Sequence, residues 1–125
     1  MGEGKGDQKV TVEYRLTSGG SAIVETLFPG TPHDMVSVYY DRDRSLEMTH
    51  YCMLGNRPQM ALKQADDKNM TFDLISNSDI KADTEPHMHA MTISFVDDNN
   101  IVESWTLYEY GKAKENATFK LSRTK

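Results

Sequence analysis

The chain has a single cysteine, Cys52, which rules out an internal disulfide framework and any zinc site built from cysteines. Cationic clusters are lacking as well. Fourteen basic residues stand against 19 acidic ones for a formal charge of -5, which argues against general binding to nucleic acid or anionic membranes. No stretch approaches the roughly 18 consecutive apolar residues of a membrane-spanning helix. Residues Met1 to Asp7 are Gly-rich and charged, without the apolar segment of a secretory signal. The expectation is therefore a soluble, cytoplasmic chain with a flexible segment over residues 1–8. No window carries a sustained 3.6-residue apolar period, so the helices that Walker loops, dinucleotide fingerprints and HExxH zinc motifs require are not foreseen, and no cofactor is assigned.

What the sequence does have is alternation. Apolar and polar residues alternate over about six to ten positions and then break at Gly, Pro, Asn or Asp, the pattern of antiparallel strands joined by tight turns. Nine segments read this way: Lys9 to Thr17, Ser21 to Phe28, Met35 to Asp41, Ser45 to Met53, Gln59 to Gln64, Asn69 to Ser76, His87 to Val96, Asn100 to Tyr110 and Asn116 to Thr124. Ser18-Gly19-Gly20, Asp41 to Arg44 and Gly111 to Glu115 read as turns, and Asn77 to Pro86 is the longest connection, long enough for a lid. With 38% hydrophobic residues, 125 residues support one modest core, so residues 9–125 read as one domain. Short, evenly spaced connections favour an all-β, up-and-down antiparallel meander, and apolar inner faces require it to curl into a barrel.

The runs Ser21 to Tyr39 (SAIVETLFPGTPHDMVSVY) and Thr49 to Met60 (THYCMLGNRPQM), with His87-Met88-His89, resemble uncharacterised bacterial proteins of the calycin-like, lipocalin-like β-barrel type. The resemblance implies a calycin-like barrel with an internal cavity and carries over no catalytic residues. Related sequences begin with a Trp- and Gly-containing strand before the one that starts here at Lys9. Nine strands in a meander leave the first and last pointing the same way. The barrel is then either incompletely closed or completed by a homodimer through edges near Lys9 and Asn116.

Several residues carry chemistry beyond a plain core. Glu25, between Ile23 and Leu27, and Glu103, between Ile101 and Trp105, fall on apolar faces. A carboxylate there is costly unless it meets a cation, a histidine or a hydrated cavity, which makes the two the best pointer to a site. The competing explanation is a bulge that flips the face. His87 and His89, two apart on a strand, share a face, and with His50 and Glu103 they could offer three nitrogens and one carboxylate to a metal. Interior histidines bonded to polar neighbours are the alternative. Cys52 shares a face with His50 and reads as a small hydrophobe rather than a nucleophile. His33, in Pro32-His33-Asp34, and Arg57, in the Gly55 to Pro58 turn, would border a barrel mouth. There His33 serves as a gate or Asp34 merely closes a turn, and Arg57 contacts an anion. Trp105, Tyr14, Tyr39, Phe72 and Phe95 supply core or lining. Met48 shares a face with His50, and Met91 with His87 and His89, so thioethers stand beside the polar groups.

The leading expectation is a binding protein rather than an enzyme. Its cavity takes a small hydrophobic or amphipathic molecule, contacted by His33, Met48, His50, Arg57, His89, Met91, Glu103 and Trp105. Two other classes stand beside it: a metal- or haem-assisted cavity enzyme using the histidines, and a ligand-free, self-associating structural module.

Overall fold

The computed structural model describes residues 11–42, 44–75 and 80–122. Nine strands follow one another: β1 (Val12–Thr17), β2 (Ala22–Leu27), β3 (Met35–Arg42), β4 (Ser45–Tyr51), β5 (Gln59–Ala65), β6 (Asn69–Leu74), β7 (His87–Asp97), β8 (Asn100–Glu109) and β9 (Lys112–Ser122). Each pairs antiparallel with its sequence neighbour in one sheet ordered β1 to β9, the expected up-and-down meander. The only helical piece among the described residues is a 3₁₀ turn at Ser18–Gly20, and no helix is long and apolar enough to cross a membrane. Expectations for residues 1–10, 43, 76–79 and 123–125 lie outside the described residues. These include the flexible N-terminal segment, the outer ends of the first and last strands, and part of the suggested lid.

Two expectations about local structure are corrected. The last strand begins at Lys112, not Asn116, because Tyr110 and Gly111 adopt φ of 52° and 75°. A two-residue turn with both residues left-handed matches the twist of the flanking strands, so pairing resumes at once with Glu109 opposite Lys112. The polar run after Gly111 is exposed strand rather than turn. The second correction lies in β7. Met88 pairs with Leu107 and Ala90 with Thr106, which leaves His89 as the extra residue of a bulge.

The alternating apolar residues converge on the concave face, where Leu27, Tyr39, Met48, Met60, Phe72 and Met91 form the core with Ile93 and Trp105. Met48, Met60 and Phe72 expose no surface at all, which leaves no water-sized void against them. Each such side chain contributes about 1.5–3 kcal/mol by leaving water.

The sheet curls until β1 approaches β8 and β9, yet among the described residues no ladder joins β1 to β9. Both strands run in the same direction, as an odd-numbered meander requires. Over the described residues the sheet is a curled, incompletely closed barrel. Side chains bridge the seam instead: Tyr14 of β1 reaches Glu103 of β8, and Phe28 packs edge-on against Phe119 of β9 with ring centroids 5.4 Å apart.

Candidate functional site: a buried acid pair behind an open seam

Register places the site. Tyr14 lies opposite Glu25, Glu25 opposite Ser37 and Ser37 opposite His50, so four neighbouring strands present one polar residue each in a line across the concave face. Glu103 and Trp105, two apart on β8, face them from across the curl. Glu25 and Glu103 are both fully buried.

Hydrogen bonds join these groups. The Tyr14 hydroxyl donates to Glu103 Oε2, and the Trp105 indole N–H donates to Glu103 Oε1 at 3.0 Å. The Tyr39 hydroxyl donates to Glu25 Oε1 at 2.7 Å. Ser37 Oγ bonds His50 Nδ1 at 2.8 Å, and the His50 ring lies 4.5 Å from that of Trp105. Glu25 Oε2, also buried, has no hydrogen-bond partner among the described residues.

The electrostatics follow from burial. Burial raises Glu25 well above the ordinary carboxylate range, and the hydrogen bond and charge of Glu103 raise it further. The hydroxyls of Tyr39 and Tyr14 pull the other way and do not prevail. The groups that move Glu25 among the described residues are Glu103, Tyr39 and Tyr14. Burial and Glu103 together thus favour the protonated form of the Glu25 carboxyl. Burial and the two glutamates also hold the Tyr14 and Tyr39 phenols far above their usual value, so both remain donors. Burial pushes His50 down to about 4, leaving a neutral imidazole.

Behind Tyr14 the seam opens into a cleft of about 500 Å³. Val12, Ile101 and Leu121 give it an apolar wall, and Glu13, Asp98 and Tyr14 give it a polar one. Tyr14 belongs to both places: it is 43% exposed along the cleft, while its hydroxyl is bonded inside.

The structure distributes the expected site residues among three places. His50, Glu103 and Trp105 come together in the polar cluster. Met48 and Met91 are core. His89 does not share a face with Met91, because the bulge turns Met88 and Met91 to the core. His89 instead stacks on Tyr108 at 3.9 Å and lies 2.9 Å from His87, Nδ1 to Nε2. His87 Nδ1 in turn faces the Glu85 carbonyl oxygen at 2.7 Å. The two histidines thus stand apart from His50 and Glu103, and among the described residues no three His, Cys, Asp or Glu side chains group as metal ligands.

His33 and Arg57 lie in exposed loops at one end of the sheet, outside the cleft lining. In the turn at His33, Thr31 Oγ1 accepts the His33 N–H at 3.1 Å and the Thr31 carbonyl accepts the Asp34 N–H at 3.2 Å. Cys52 is half-buried and burial raises its thiol, the opposite of activation. The connection before His87 is tied to the Cys52–Pro58 loop by Asn56, which donates to Glu85 Oε2 and the Pro86 carbonyl.

Sequence reasoning missed Tyr14 and Tyr39 as polar partners of the acids, treating them as core or lining, and missed Ser37 as the partner of His50. The available signal was the hairpin register: counting back from the Ser18–Gly20 turn sets Tyr14 opposite Glu25. No family model, no curated protein and no solved structure matches the chain. The fold and site by themselves define an all-β, incompletely closed up-and-down barrel with a buried acid pair.

Proposed function

We propose that the protein is a calycin-like binding barrel for a small amphipathic molecule, held in the seam cleft with its polar end toward the Tyr14, Glu25 and Glu103 cluster. One observation carries this reading: two fully buried carboxyl groups lie one side chain away from an open, partly apolar cleft, joined there by Tyr14. A packed core has no use for such a pair, since replacing buried polar groups with apolar ones is often neutral or stabilising. A ligand site does, because a few placed polar groups fix orientation inside an apolar wall. We place the protein in the cytoplasm, in keeping with a lone free thiol.

The test is titration with phenylnaphthylamine, a neutral apolar dye, read by quenching of the sole tryptophan, Trp105. Saturable binding by the wild type is expected, with loss in Ser122→Phe, which fills the cleft from an exposed position and leaves the core untouched. Equal binding by both proteins, or none by the wild type, overturns the reading.

A further inference from the structure

We propose that the outer face of β2, β3 and β4 is where two copies of this chain pack back to back, in a weak two-fold dimer. This goes beyond the binding reading and stands whether or not the cleft takes a ligand.

The make-up of the outer face points to a contact. Where a sheet buries only its inner face, the residues that alternate with the core should be polar. Strands β6 to β9 obey this. Thr71, Thr92, Ser104 and Thr118 lie side by side in register, with Thr71 Oγ1 3.3 Å from Thr92 Oγ1 and Ser104 Oγ 3.3 Å from Thr118 Oγ1. Strands β2 and β3 do not. The buried residues Glu25, Ser37 and Tyr39 point inward, so Val24, Val36, Val38 and Tyr40 point outward, and Val24 pairs with Val38. Apolar residues on both sides are the mark of a strand covered on both sides. Strand preference does not account for the valines, since threonine supplies the same branched Cβ on the other half of the sheet. The four are only half-buried, and Tyr51, opposite Val36, is 47% exposed. Such a patch marks an interaction surface.

The relief of the face suits a second sheet. The Tyr40 hydroxyl on β3 bonds Thr49 Oγ1 on β4 at 2.9 Å, so the ring leans along the sheet instead of standing off it. Sheets pack face to face through such surfaces.

The flanks identify the occupant as another copy. In register, one row across β1 to β4 reads Glu13, Thr26, Val36, Tyr51, and the next reads Arg15, Val24, Val38, Thr49. A two-fold axis parallel to the strands, between β2 and β3, sets β1 of each copy over β4 of the other. Glu13 then meets the Tyr51 hydroxyl, and Arg15 reaches Glu47, which shares the outer face with Thr49. Both contacts occur twice, as a self-complementary interface requires. A flank carrying both signs suits neither a strongly acidic nor a strongly basic partner. Because the face is convex, the copies touch along a band and part toward its sides, where Arg15, Glu47 and Tyr51 are long enough to span the gap. A band three strands wide and six residues long covers roughly 300 Å² in projection, at about 4.8 Å per strand and 3.3 Å per residue. With the flanks, about 500 Å² per copy is the scale of a transient dimer that is monomeric when dilute.

The experiment is sedimentation equilibrium of the whole chain at pH 7, from about 5 μM to about 1 mM. The mass is expected to rise from one chain toward two with a Kd of about 10–500 μM. Val38→Lys, on the outer face, should weaken association at least about tenfold, and Arg15→Glu about threefold or more. Adding Glu47→Arg to Arg15→Glu should restore the wild-type Kd to within about twofold. Recovery by charge exchange keeps the test decisive even if Val38→Lys does not fold. A single-chain mass up to the highest concentration overturns the proposal. So does a dimer that Val38→Lys and Arg15→Glu leave unchanged, which would place the contact elsewhere, as at the β1 and β9 edges.

Discussion

Protonation of His50 offers a sharp test of how dry the polar cluster is. Its imidazole is buried against Trp105 and bonded to Ser37, and burial pushes its pKa to about 4 from an ordinary 6.5. Between those values the unfolded chain takes up a proton that the native chain refuses. Stability contributed by the neutral ring is thus fully present above pH 6.5 and is lost as pH falls toward 4. At 1.36 kcal/mol per unit the loss is about 3 kcal/mol. Glu25, whose folded pKa is raised, works in the opposite sense and is protonated in both states only at low pH. The useful quantity is therefore the difference between wild type and His50→Asn, in which most of the Glu25 background cancels.

Urea unfolding followed by Trp105 fluorescence supplies that difference. Near pH 7.5 the variant should be less stable by about 1–3 kcal/mol through lost packing and a disturbed bond to Ser37. By pH 4 the gap should shrink by about 3 kcal/mol, closing or reversing. A gap constant to within about 0.5 kcal/mol across this range, or a His50 ring proton titrating by NMR near its ordinary value, would refute the placement of His50 in a water-excluded cluster.

Three further outcomes are expected. Phe72→Ala, at a side chain with no exposed surface, should cost about 3–5 kcal/mol in the same unfolding assay, and a loss under about 1 kcal/mol would mean that the barrel centre is loosely filled. Tyr110→Asn should raise stability by about 0.5–1 kcal/mol, because φ of 52° strains a tyrosine while asparagine before Gly111 suits that turn; unchanged or lower stability would count against the turn assignment. Cys52 should react with iodoacetamide at pH 8 more slowly than a free cysteine, since its raised thiol is mostly protonated; faster reaction would mean an activated thiolate.

The meander was legible in the sequence because each strand alternates and each connection is short, so every element could be found from its own residues. Glu25 and Glu103 were legible for the same reason: each interrupts an apolar face, and burial requires only that the face be assigned correctly. What was not legible depends on counting across strands. His89 is indistinguishable in sequence from an ordinary strand residue, and only its ladder partners on β8 reveal that Met88 and Ala90 straddle a bulge. The Tyr14 contact joins residues 89 positions apart, and it depends on how far the sheet curls, a sum of small twists that no local pattern encodes. Lys112 to Glu115 looked like turn because exposed strand at a sheet edge needs no apolar alternation at all.

The unladdered seam also has a kinetic meaning. Every ladder in this sheet links strands adjacent in the chain, so each hairpin zips with little loop to close, and the sheet belongs among the faster-folding β topologies. Only side-chain contacts such as Tyr14 to Glu103 and Phe28 to Phe119 require the chain's two halves to meet. They form last and open first. The native protein then breathes along one line, with the amides of β1 and β9 exchanging with solvent well before those of β4 to β7.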